Sequence, residues 1–313
     1  MTNKRHLTQS SRSLCGCAAA VAILSFFLLF FFVPNSHALF DNLIRSARPA
    51  GMGGAFTAVV DDENALYWNP SGLSLINNPG ISTMYESLFG ISDLNHVLFS
   101  GILPVKGGTA GVSYIQFGSS FYKEQTLGLS YGFNLGEMFS AGATLNSYSL
   151  SITGDEYGSS SAVGVDIGLL ARISDNLRAG VYFKNFNNPS VGVENRIALP
   201  QTINVGLAYN VFPGFLFSVD MGRDTGFDTD LRAGFEYKLS NVLTLRTGAL
   251  TVPARFSAGF GLRMGVVAFD YAMLTHPYLD TSHQVNFLFR FLRVERKQET
   301  EEQQAPEVDE FGY

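Results

Sequence analysis

Cysteine is almost missing from this chain of 313 residues: there are two, Cys15 and Cys17, both near its start. If that start is removed on maturation, no disulfide, thiolate metal site or cysteine nucleophile is available. Charge is scarce as well. Only 15% of residues are Asp, Glu, Lys or Arg, and the formal net charge of −6 argues against nucleic acid as a partner. After one apolar run from Leu14 to Val33, long apolar runs are missing too. No later stretch of roughly 18 apolar residues remains, so no further membrane helix is expected. The chain has instead 32 glycines, 27 phenylalanines and 13 tyrosines. Apolar composition without apolar runs implies alternation, which is how a membrane β-barrel carries its lipid-facing surface.

The start reads as a secretion signal. Lys4, Arg5 and Arg12 precede the apolar run, Pro34 breaks it, and Ser36 and Ala38 are small residues at the positions a signal peptidase reads. Cleavage after Ala38 is the expectation, and an uncleaved anchor is the rival. The order of the segment does not fit a lipoprotein, because the apolar run follows the cysteines.

From about Gly80 to Phe291 the chain alternates with period two. Val163, Val165, Ile167, Leu169 and Ala171 share one face, while Gly164, Asp166, Gly168 and Arg172 share the other. Phe256, Ala258, Phe260 and Leu262 oppose Ser257, Gly259, Gly261 and Arg263 in the same way. Such segments fall at 80–88, 94–103, 107–117, 123–134, 137–153, 162–173, 176–186, 200–211, 214–222, 229–239, 242–249, 254–264, 266–274 and 281–292. These lengths suit tilted membrane strands of roughly 9–11 residues. Very short connections such as Leu135-Gly136 alternate with longer ones such as 187–199. That layout predicts an all-β, transmembrane antiparallel barrel of about fourteen strands in the outer membrane of a Gram-negative-type cell, with both termini periplasmic. A soluble sandwich is the rival. It needs large residues on both faces of its sheets, whereas the second face here is Gly, Ser, Asn, Arg and Asp and suits a hydrated lumen. On this register the lumen charges include Asp166, Arg172, Arg178, Lys184, Asp220, Arg232, Glu236, Lys238, Arg246, Arg263, Asp270 and Arg290. They form either a lattice that fills the lumen and holds a plug, or the lining of a solute pathway.

Between signal and strands lies a block with unlike composition. Gly51, Gly53 and Gly54 permit close backbone approach to a wall. Asp61, Asp62 and Glu63 form an acidic cluster placed to pair with lumen arginines, or else a solvated helix end. Trp68, the one tryptophan, reads as a packed residue, and Asn69-Pro70 ends any helix before Ser71-Gly72. Gly51-x-Gly53-Gly54 is no nucleotide loop, because no strand precedes it and no Lys-Ser/Thr follows.

This block resembles the N-terminal region of the FadL/PorV-PorQ superfamily of outer-membrane proteins, through Gly51-Met52-Gly53-Gly54-Ala55, Asp61-Asp62-Glu63-Asn64-Ala65 and Asn69-Pro70-Ser71-Gly72-Leu73. The resemblance implies a hatch folded inside the barrel. In FadL-like members, long-chain fatty acids or other hydrophobic compounds pass through a lateral opening. PorV-like members act instead in protein secretion to the cell surface. The outer loops of this chain are short beside a FadL transporter.

The expected organisation is therefore a signal over 1–38, a hatch over 39–79, a barrel over 80–293 and a polar, disordered tail over 294–313. Expected partners are outer-membrane lipid, hydrophobic small molecules and the barrel assembly machinery, which reads the aromatic strand carrying Phe287, Phe289 and Phe291. No enzyme, cofactor or metal site is expected. His96 and His276 fall near outer rims, His283 falls on the lipid face, and none has metal spacing. Asp224, Asp228 and Asp230 read as a solvated loop before a Ca²⁺ site.

Overall fold

The computed structural model describes residues 40, 45–91, 93–153, 159–192, 197–225 and 227–291. The expected signal and tail lie outside them. The hatch comes first. Two single helical turns, α1 (Ala47–Gly51) and α2 (Ala65–Trp68), are followed by a 3-10 helix over Pro70–Leu75. None is long enough to persist alone in water, so packing must hold them.

Sixteen strands follow: β1 (Gly80–Ser87), β2 (Asn95–Val105), β3 (Gly108–Gly118), β4 (Tyr122–Leu135), β5 (Phe139–Ile152), β6 (Ser159–Arg172), β7 (Leu177–Lys184), β8 (Ser190–Val191), β9 (Ile197–Ala198), β10 (Thr202–Phe212), β11 (Phe215–Asp224), β12 (Asp230–Lys238), β13 (Leu243–Thr251), β14 (Ala254–Met264), β15 (Val267–Leu274) and β16 (Ser282–Arg290). All except β8 and β9 close into one antiparallel barrel of fourteen strands, with β1 paired to β16. Closure satisfies the backbone groups that lipid cannot. The expected segments and these strands agree to within a few residues. The short hairpin β8–β9 inside the loop after β7 was not foreseen, because two-residue strands carry no periodicity.

Alternation sorts the side chains. Ile81, Phe99, Leu129, Leu169, Leu231 and Phe287 point outward and are half exposed, forming a belt that lipid covers. Across β1, β2, β3 and β4 the pairing is continuous from strand to strand. The lateral opening implied by the resemblance has no counterpart in these ladders. The outward position of Gly101 instead leaves a lipid-facing trough of about 710 Å³ between Ile81, Phe99 and Val112.

The core of this molecule lies inside the barrel. Met52, Phe56, Val59, Val60, Ala65 and Leu73 of the hatch are fully buried against Leu170, Ala208, Leu250 and Ala272 of the wall. Burial of each large side chain contributes about 1.5–3 kcal/mol. The hatch is thus a second layer packed on the inner face of the wall.

Candidate functional site: a hatch keyed to the barrel wall

The hatch sits on glycine. A Cβ built on Gly132 or Gly142 would run into Pro70, one on Gly168 into Asn69, one on Gly180 into Thr57, and one on Gly234 or Gly248 into Met52, all well under 3.0 Å. These inward-facing glycines mark where the hatch backbone touches the wall. On the hatch side, Gly53 and Gly54 take left-handed φ values of 64° and 77°. A Cβ at Gly53 would meet the backbone of Ala249.

Polar contacts fix the position. Asn69 Nδ2 donates to Thr57 O at 2.9 Å, Leu169 O at 3.2 Å and Val181 O at 3.3 Å, tying the hatch to β6 and β7. Its Oδ1 accepts from the Ser71 hydroxyl at 2.6 Å. Asp220 on β11 accepts from the amides of Phe56 and Thr57 at 2.9 and 2.8 Å. Ser257 donates to Gly51 O at 3.1 Å. Trp68 is buried, meets Phe56 edge to face with centroids 6.1 Å apart, and donates from Nε1 to Arg45 O at 2.9 Å. Pro70 opens the 3-10 helix, and a Cβ at Gly72 would strike Val60.

Charge adds the strongest directional link. Arg48 on α1 is 4% exposed. Its Nη1 reaches Asp61 and Asp62, both at 2.6 Å, while Nε and Nη2 hold Glu236 on β12 at 2.7 and 2.9 Å. Glu236 also accepts from Arg246 Nε at 2.8 Å, and Arg246 Nη1 reaches Asp270 at 2.6 Å. The Arg48 guanidinium lies 5.2 Å from the centre of the Phe56 ring. Arg178 stands 3.6 Å from Asp61, and Arg290 stands 3.3 Å from Glu63. Two of the three acidic residues thus meet lumen arginines, whereas Asp62 meets an arginine of the hatch itself. Arg48 was missed from sequence, since one arginine in a five-residue helix shows no pattern.

Other charges lie elsewhere. Asp166 is buried among Asn146, Tyr182 and the Asn185 amide, above the hatch. Arg232 pairs with Asp230 at 2.6 Å. Arg172 is exposed beyond the hatch and donates to Glu137 O, so it is a rim residue and not a lumen one. Arg263 is half-buried one residue from the end of β14. His96, second in β2, points into the barrel, buried and stacked on Phe117 with Nδ1 3.0 Å from Glu86 Oε2. Among the described residues no group of His, Cys, Asp and Glu is placed to hold a metal ion.

Burial pushes the Glu63 carboxyl up to about 7, with Asp62 adding to the rise and Arg290 opposing it. A carboxyl raised on docking binds its proton more tightly in the docked state. Its contribution is full below about pH 4.5 and is lost as pH rises through about 7. Hatch amides should accordingly exchange hydrogen faster at pH 8 than at pH 5, after correction for intrinsic rates. Glu63→Gln should flatten that difference. A flat profile in the unaltered protein would rule the effect out.

Above the hatch, toward the long-loop end, stands Phe40. Beside Phe40 is a cavity of about 210 Å³, lined with Leu88, Phe89, Leu94, Ile115 and Phe117 and carrying Arg45, His96, Glu124 and Thr126.

A closed barrel of fourteen strands, occupied by a docked N-terminal hatch and with a mixed apolar cavity above it, defines a plugged membrane barrel. Its fold is that of the FadL-type outer-membrane transporters. The toluene transporter TbuX of Ralstonia pickettii aligns with a TM-score of 0.61 at 13% identity, over 81% of this chain and 100% of that one. The toluene transporter TodX of Pseudomonas putida aligns at 0.58 and 13%, over 81% and 100%. A FadL homologue of Pseudomonas aeruginosa aligns at 0.56 and 12%, over 80% and 99%. No family model and no curated protein matches the chain.

Proposed function

We propose that this protein carries small hydrophobic compounds across the outer membrane, with the short turns facing the periplasm and the hatch as its gate. The observation behind this reading is the two-part lumen. The long-loop half holds a largely apolar cavity, and the short-turn half is stopped by a segment that no strand pairing attaches. A hydrocarbon entering the cavity needs only the hatch to yield. Solved structures with this fold include monoaromatic hydrocarbon channels and toluene transporters, which agrees with such cargo. A PorV-like secretion role has less support, because it requires no cavity above the hatch. Catalysis has no part in this reading.

Uptake tests it. Cells expressing the protein in a porin-poor background should accumulate labelled toluene several-fold faster than cells without it, at concentrations where passive entry is slow. Equal rates, together with a stable complex of a secreted protein on purification, would overturn transport in favour of secretion.

A further inference from the structure

On one flank the lipid face is hollow. The trough of about 710 Å³ spans β1, β2, β3 and β16, and a second hollow of about 480 Å³ continues it toward the short turns. Ile81, Gly101 and Val112 line both, so the two make one groove along the surface. Its floor is Gly101 and Ala110, and its walls are Ile81, Phe99, Leu103 and Val112, which stand out half exposed. A missing side chain gives the depth. A Cβ at Gly101 would meet Val112 at 3.5 Å and Ile81 at 4.0 Å, both ordinary contacts. Hydrocarbon is already the solvent here, so a guest gains nothing by leaving water. A chain lying in the groove does touch protein on its floor and on both sides. Dispersion summed over those contacts exceeds what a convex wall offers.

The lower end of the groove is polar. Leu103 pairs with Ala110 and Val105 with Gly108, so the groove runs out at the turn between β2 and β3. That turn carries Lys106, which is exposed. Tyr131 on β4 stands opposite Ala110, with its ring stacked on Phe133 at 5.9 Å between centroids. Its hydroxyl reaches the same turn, where a Cβ built on Gly107 would lie 3.5 Å from it. An ammonium and a phenolic hydroxyl thus meet where strand gives way to turn, at the level of lipid headgroups. Both donate hydrogen bonds, and a phosphate accepts them.

We infer that this groove is a binding site for one acyl chain of a phospholipid of the periplasmic leaflet, whose phosphate is held by Lys106 and the Tyr131 hydroxyl. The site lies outside the transport reading and shares with it only the orientation, short turns toward the periplasm. The lipopolysaccharide of the opposite leaflet does not reach it, because the groove occupies the short-turn half of the wall.

Full-length protein is reconstituted in vesicles with a phosphatidylglycerol that bears a photoreactive diazirine in one acyl chain, and the crosslinked residues are mapped by mass spectrometry. Labelling should gather on Ile81, Phe99, Leu103 and Val112, several-fold above Leu231 on another flank. Gly101→Leu fills the groove and should bring that labelling down to the level of Leu231. Lys106→Gln should lower it several-fold with the phosphatidylglycerol and leave it unchanged with a diacylglycerol carrying the same diazirine chain. Even labelling around the barrel, undiminished labelling in Gly101→Leu, or an equal response of Lys106→Gln to the two probes would overturn the assignment. So would protein from native outer membranes that retains lipopolysaccharide and no phospholipid, with that retention lost in Gly101→Leu.

Discussion

Arg48→Met leaves the barrel standing and frees the hatch. Among the described residues, Arg48 is the one side chain that joins both hatch aspartates to a wall strand, through Asp61, Asp62 and Glu236. After its loss Glu236 keeps Arg246 and Asp61 keeps Arg178, but Asp62, 2% exposed, faces the hatch interior without its cation. Removing one partner of a buried pair costs about 3–5 kcal/mol, because a charge stays behind unpaired. Each 1.4 kcal/mol is about tenfold in an equilibrium, so the docked fraction falls by roughly two to four powers of ten. The strand ladders contain none of these atoms. Heat-modifiable migration on gels should therefore be unchanged, while single-channel conductance rises from closed to open. Arg48→Lys should not rescue it, since a point charge cannot serve Glu236 and the aspartates as a planar fork does. A closed channel in Arg48→Met would show that shape, not charge, holds the hatch.

Gly168→Val attacks shape alone. The substitution suits a strand, and β-branched residues are favoured there. Its Cβ, however, occupies the place of the Asn69 side-chain oxygen and crowds Pro70 and the Ser71 amide. Asn69 cannot retreat, because Nδ2 holds three carbonyls and Oδ1 holds Ser71. Overpacking of this kind costs typically 1–3 kcal/mol where neighbours can move, and more where they cannot. The expected result is an assembled barrel that conducts, with protease cutting inside 45–76. Gly101→Ala is the control. Its Cβ points outward and meets Val112 at an ordinary 3.5 Å, so conductance and protection should stay as they were. If Gly168→Val keeps the hatch protected, the wall is softer than its geometry says.

The wall was legible in the sequence because its physics is local. Val163, Val165 and Ile167 announce a strand and its lipid face with no knowledge of any neighbour. The place of the hatch was legible from Gly51, Gly53, Gly54 and Asn69-Pro70, whose backbone demands are also local. What stayed hidden depends on distant pairs. Arg48 meets Glu236 across 188 positions, and Phe40 meets Glu124 across 84. No spacing rule links such residues. Parity assigns a charge to a face but says nothing of its height, and Arg172, read from sequence as a lumen charge, stands at the rim.

The row of glycines has a consequence for descent. Gly132, Gly142, Gly168, Gly180, Gly234 and Gly248 lie on six different strands, yet together they form a mould of one short segment that precedes them all. Hatch and barrel are therefore not interchangeable parts. A change of hatch backbone at Thr57 or Pro70 needs an answering change in the wall, and a hatch grafted from another barrel meets relief cast for a different shape. The two segments must be inherited together, and the mould is the record of that pairing.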